Sequence, residues 1–231
     1  MDPNYECQKH GQCGHSFFGS YRVNPDAPAM KNITQAIEKT RASLNNSLTM
    51  FWDKQCLPFG ENWELGFLNC LRNSKVIVLL ISPRAVKNCL TADIRDDNFL
   101  LEMDLATDLH ADGKAVVIPV FMVQHNDPDF PGGHAAFLRH LLSPSTFPEK
   151  RAKHRWSSLK TIAATMRAVT QLPNALNIFQ NADFSVVTDN DFFIKVDQIA
   201  SKCKPSTFPL FCCHYTIIFW TVFKLLVVLR V

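Results

Sequence analysis

Glu102 is the residue whose setting points most directly to chemistry. The stretch 97–110 reads Asp-Asn-Phe-Leu-Leu-Glu-Met-Asp-Leu-Ala-Thr-Asp-Leu-His, with apolar residues at helical spacing. Counted from Asn98 at about 100° per residue, Leu109, Ala106, Phe99 and Met103 fall near about 20°, 80°, 100° and 140°, and Leu105 near about 340°. Glu102 falls near about 40°, inside that apolar stripe, while Asp104, Thr107 and Asp108 fall on the far side. A carboxylate sealed unpaired in an apolar stripe is costly. Glu102 is therefore either paired or open to a cleft, and in a cleft it is a candidate catalytic acid.

Two other clusters hold ligand-type residues. Cys7, His10, Cys13 and His15 could supply two thiolates and two imidazoles to zinc, but their spacing matches none of the common zinc signatures. The simpler reading is an irregular terminal segment, and no metal is expected. Asp93, Asp96 and Asp97 precede the Glu102 helix, where acids favour the helix dipole; that reading is preferred to a cation site. No Gly-rich phosphate loop and no Gly-x-Ser-x-Gly elbow occurs.

The 231 residues allow one core of ordinary size with extensions, and 47% hydrophobic and 19% charged residues are globular values. A net charge of +3, without a concentrated basic face, argues against nucleic acid as a partner. Eight cysteines are too sparse for a disulfide scaffold. Residues 1–15 are polar and lack the apolar stretch of a secretory signal. A cytoplasmic setting with free thiols is expected, with Cys56, Cys70 and Cys89 as small buried or half-buried residues.

The elements that must position Glu102 follow from periodicity. Strands are expected at 16–23, 48–52, 75–81, 114–122 and 175–179. The run Lys-Val-Ile-Val-Leu-Leu-Ile at 75–81 is continuously apolar, as in a parallel strand covered on both faces. Pro119 removes a ladder donor, so the fourth strand is expected near an edge or to end early. Helices are expected at 29–44, after a break at Asn24–Pro28, and at 61–71, 97–110, 135–142, 154–170 and 190–203. Residues 84–96 read as a polar connection. Alternating strands and helices imply a parallel sheet covered on both faces, with its ligand crevice beyond the C-terminal strand ends. The loops after Tyr21, Trp52 and Ile81 would open there, beside the start of the Glu102 helix.

These segments resemble the TIR domain family. Phe17-Phe18-Gly19-Ser20-Tyr21-Arg22 is similar to its first-strand box. Phe51-Trp52-Asp53 through Leu57-Pro58-Phe59-Gly60-Glu61-Asn62-Trp63 is similar to its second strand and following loop. Val76 to Pro83 resembles the third strand, and Asp97 to Glu102 resembles the segment that carries the glutamate of NAD-cleaving members. The resemblance covers about residues 16–200. It implies an α/β, flavodoxin-like, doubly wound parallel sheet of order 2-1-3-4-5, forming a single TIR domain over 16–203 between an irregular extension, 1–15, and a hydrophobic tail, 204–231. A response-regulator reading of the same fold fails because the third strand ends in Ser82-Pro83 rather than an aspartate.

The resemblance implies two functions. One is hydrolysis of the nicotinamide–ribose bond of NAD+, giving nicotinamide and linear or cyclic ADP-ribose, with NAD+ as substrate and no cofactor. Glu102 would stabilise the oxocarbenium-like transition state or bind ribose hydroxyls. Tyr21 and Arg22 would face the nucleotide, with Arg22 meeting a phosphate or orienting Glu102, and Asp53 and Trp63 would lie near the covering loop. Trp63 would stack on a ring or, given its spacing from Phe67, pack in the core. The other function is TIR–TIR association in signal transduction and innate immunity through residues 53–62 and neighbouring helices, with Glu102 structural and paired to Arg22 or Lys54.

Three departures from the family pattern stand out. Gly19 replaces a bulky residue, Asn98 stands where some active members carry Trp, and the loop 124–150 has no clear counterpart. The segment 208–231 is long and apolar enough to anchor the chain in a membrane, interrupted by His214 and Lys224; the other reading packs it on the domain.

Overall fold

The structure is a computed structural model that describes residues 15–42, 49–56, 63–91, 96–124, 126–151, 159–180 and 186–187. The segments 1–14 and 204–231 and the expected helix at 190–203 lie outside these residues, as do the side chains of Lys54 and Trp63.

The elements run in chain order β1 (Phe17–Ser20), α1 (Val23–Ala42), β2 (Met50–Phe51), α2 (Asp53–Cys56), α3 (Trp63–Asn73), β3 (Val76–Ile81), α4 (Pro83–Cys89), α5 (Asn98–Ala111), β4 (Val116–Gln124), α6 (Gly133–Leu142), α7 (Ile162–Thr170), β5 (Leu176–Gln180) and β6 (Val186–Val187). Five parallel strands take the order β2-β1-β3-β4-β5, the flavodoxin-like order expected from the sequence. Strand β6, which periodicity missed, adds an antiparallel edge against β5.

β3 is buried at every position, as its continuous apolar run requires. Phe18 of β1 stacks on Phe51 of β2 with centroids 4.9 Å apart, and Phe67 of α3 meets Phe18 edge-on at 5.3 Å. Burying each such ring contributes about 1.5–3 kcal/mol, so this trio holds the short β2 and α3 to the sheet. A Cβ on Gly19 would lie 2.7 Å from Met50 Cε and 2.9 Å from Met30 Sδ. The missing bulk at that position is thus supplied by two methionines from neighbouring elements.

Four expectations are corrected. β4 is interior rather than at an edge: it pairs with β3 from Val116 onward and with β5 only from Val120 onward. Pro119 therefore sits where the β5 side of the strand is still unpaired, so a proline is tolerated. Residues 83–89 are not a polar connection but helix α4, with Ser82 capping it, Pro83 in its first turn, and Ala85, Val86 and Cys89 buried. Helix α1 reaches back through the expected break: only Asn24 is non-helical, and Pro25 and Pro28 fall in the opening turns, where backbone donors lack helical partners. Within the described residues, α7 begins at Ile162 rather than at 154, capped by Thr161.

The far side of α5 is also covered. Asp104 and Thr107 are buried, because the segment at Leu159–Lys160 and helix α7 pack over them. Lys160 Nζ lies 3.1 Å from Asp104 Oδ1 and 2.6 Å from Asp108 Oδ1. Asp104 is thereby absorbed into a helix buried over most of its length, while Asp108 stays at the surface.

Candidate functional site

The parallel strands bring the ends of β1 and β2 and the start of α5 to one edge of the sheet. Ser20 closes β1 and is followed by Tyr21 and Arg22; Trp52 and Asp53 follow β2; Asp97 caps α5, and Glu102 lies one turn further along. Tyr21, Arg22, Asp53 and Glu102, separated by up to 81 positions in sequence, thus gather in one cluster.

Glu102 is 5% exposed. Burial pushes its carboxyl well above the ordinary range; the charges of Asp53 and Asp97 push the same way, while Ser20 and Arg22 oppose them. The Ser20 hydroxyl, which has no well-formed hydrogen bond of its own, lies close enough to favour the charged carboxylate. Glu102 is thus on the expected edge and beside the expected residues. The opening onto a cleft anticipated from topology is not what its burial shows: the carboxyl is nearly closed off.

Tyr21 is buried, and its hydroxyl donates to the Asp53 carboxyl. The same oxygen accepts the Trp52 indole N–H at 2.9 Å. Burial, reinforced by Asp53, raises the phenol above its usual range, so it stays protonated as a donor. A chain Trp52–Tyr21–Asp53 therefore fixes Asp53 at the mouth of β2.

Arg22 Nη2 donates to Asp97 Oδ2 at 2.6 Å and to Cys89 Sγ at 3.3 Å, and its guanidinium lies 5.4 Å from the Phe99 ring centroid. Burial pushes the Cys89 thiol up to about 12, so it serves as a neutral acceptor and not a nucleophile. Cys56 and Cys70 are likewise buried and form no disulfide. Sequence reasoning read Asp97 as a helix-dipole acid, and it does cap α5; its pairing with a residue 75 positions away left no sequence signal.

A second polar group lies at the ends of β3, β4 and β5. Ser82 Oγ reaches Asp26 Oδ1 and Oδ2 at 2.9 and 2.8 Å, and burial pushes Asp26 up to about 7. A cavity of about 20 Å³, room for one water, is lined by Asp26, Ser82, Arg84, Asp127 and Gln180 and by none of the Glu102 cluster. His15, the one described member of the Cys7, His10, Cys13 and His15 set, is buried edge-on against Phe51 at 5.3 Å. Among the described residues no three metal-ligand side chains converge.

No family model and no curated protein matches the chain. Two solved structures are similar in chain trace. A metazoan TIR-STING receptor from C. gigas in complex with 2',3'-cGAMP is 15% identical, with a TM-score of 0.45 over 82% of this chain. The TIR domains of the activated Roq1 resistosome directly recognizing the pathogen effector XopQ are 16% identical, with a TM-score of 0.38 over 71% of this chain and 87% of that one. This chain spans 40% of the TIR-STING receptor's length. At these scores the likeness carries nothing about activity; the flavodoxin-like assignment stands on the observed strand order.

Proposed function

We propose that the chain is a TIR-type signalling module that hydrolyses NAD+ to nicotinamide and ADP-ribose or its cyclic form, with Glu102 as catalytic residue. The observation that carries this reading is the meeting of Glu102 with Tyr21, Arg22 and Asp53 at the C-terminal edge of the sheet. The chemistry asks for a stabilising carboxylate rather than a general acid. The nicotinamide leaving group of NAD+ is already cationic and needs no strong acid. Binding of cationic NAD+ beside Glu102 would lower the cost of its charge, releasing the carboxyl proton to water before cleavage and leaving a carboxylate to stabilise the oxocarbenium-like transition state as neutral nicotinamide departs. Asp53 would touch the ribose, and Tyr21 would hold Asp53 rather than stack on the substrate.

The test is incubation of the full chain with NAD+ at high protein concentration, followed by nicotinamide detection, with Glu102→Ala as control. Release by wild type that is lost in the variant supports the reading; no release at any protein concentration sinks it. Release that survives Glu102→Ala keeps the activity and removes Glu102 from it.

The near-complete burial of Glu102 favours a second reading, a non-catalytic adaptor that acts by TIR–TIR association in signal transduction and innate immunity. Concentration-dependent self-association without NAD+ turnover would select it. No helix among the described residues is long and apolar enough to cross a membrane. A cytoplasmic location, with residues 208–231 as a membrane anchor, is part of the proposal. Fractionation of the full chain against one ending at Lys204 checks it, and equal partitioning of the two overturns it.

A further inference from the structure

Asp97 is shared between the two elements that carry the proposed site. Its Oδ1 accepts the Leu100 backbone N–H at 2.9 Å, capping the helix that bears Glu102. Its Oδ2 accepts from Arg22 Nη2 at 2.6 Å, just beyond β1. The Asp97 side chain is 1% exposed and that of Arg22 is 16% exposed, so water does little to screen the pair. Cys89 Sγ and the face of Phe99 hold the guanidinium from two further directions. Its Nε is buried without a partner among the described residues.

An arginine held in this way is not a free phosphate-binding group. We infer that Asp97 is the positioning residue of the site: by joining Arg22 to the first turn of α5 it fixes where the guanidinium and Glu102 stand, and sets the charge around the Glu102 carboxyl. The inference rests on Glu102 being the functional carboxyl. The groups facing that carboxyl are Ser20, Tyr21 and Arg22 from the end of β1, Asp53 from the start of α2, and Asp97 from the cap of its own helix. Asp97 acts on Glu102 both directly, as a neighbouring negative charge, and through Arg22. An uncharged cap would keep the helix start and lose both effects. Asparagine is that cap, since its carbonyl oxygen still accepts the Leu100 N–H.

The experiment follows the Glu102 side-chain carboxyl by 13C NMR against pH in the full chain, for wild type and Asp97→Asn, alongside kcat and KM for nicotinamide release. Asp97→Asn is expected to lower the Glu102 titration midpoint by at least half a pH unit. It should reduce kcat at least tenfold and leave KM within about threefold, because the substrate is not contacted. A folded Asp97→Asn protein with an unchanged Glu102 midpoint overturns the inference. Should that variant fail to fold, Arg22→Met is read in the same way; losing the guanidinium must raise the midpoint, and no change again overturns it. If wild type releases no nicotinamide, the NAD+ reading fails while the titration still decides the role of Asp97.

Discussion

The Ser82 hydroxyl bridges both oxygens of the Asp26 carboxyl, at 2.9 and 2.8 Å, while its own oxygen accepts the Ala85 backbone N–H at 3.1 Å. One hydroxyl thereby ties the start of α1 to the cap of α4. Asp26 is 1% exposed, and burial pushes it up to about 7, against the counteracting bond from Ser82 and the charges of Arg22 and Arg84.

A pH dependence follows with a definite sign. A carboxyl whose folded pKa is raised binds its proton more tightly when folded than when unfolded. Its contribution to stability is complete below about 3.8, the unfolded value, and is lost as pH rises through about 7. Asp26→Asn should flatten the fall in stability between pH 5 and pH 8, removing a difference on the order of 2 kcal/mol. Urea unfolding at the two pH values measures it; equal slopes in both proteins refute the assignment to Asp26.

Glu102→Gln separates stability from function. Glutamine keeps the shape and a hydrogen-bonding end but never carries the charge that burial penalises. The variant should unfold at a higher temperature than wild type at pH 8, by about 2–6 °C, and release no nicotinamide. A lower melting temperature would mean that the carboxylate is compensated in the folded protein.

Tyr21→Phe removes one oxygen and unsettles two partners. The Trp52 indole N–H loses its acceptor, and Asp53 loses the donor that fixes it. The loss in stability should be about 1–3 kcal/mol, the range for stranding a buried polar group. Nicotinamide release should fall further than Tyr21 contact alone would explain, and Asp53→Asn should reproduce most of that fall. Additive losses in the double variant would show that the two residues act independently.

Two surface lysine and arginine pairs should behave differently. Lys160 neutralises Asp104, whose side chain is only 9% exposed, and braces Asp108. Burial of the ammonium opposes its charge, but the hydrogen bonds it donates to the two aspartates outweigh it. Lys160→Met strands the Asp104 carboxyl and should cost about 1–2 kcal/mol, a figure reduced because the ammonium is 40% exposed. Arg167→Ala breaks only the solvent-exposed bond to Glu149 at 2.9 Å and should leave the urea midpoint unchanged.

The sequence alone determined the five parallel strands and the edge at which the candidate residues gather. Continuous apolar runs in β3 and β4, and their alternation with amphipathic helices, allow few arrangements other than a parallel sheet. That sheet puts Tyr21, Asp53 and the start of α5 on one edge, and the misplaced carboxyl at Glu102 marked the residue to watch. The sequence did not show how Glu102 would be treated there. Its raised proton affinity comes from burial and from the charges of Asp53 and Asp97, against the pull of Ser20 and Arg22, groups drawn from three separate parts of the chain. The same holds for Pro119, tolerated because β5 begins to pair one residue later, and for Asp104, covered by a segment 56 positions downstream. Periodicity records which face of an element is apolar, a local property. Which partner meets a charge on that face depends on packing between distant segments, and only the tertiary structure decides it.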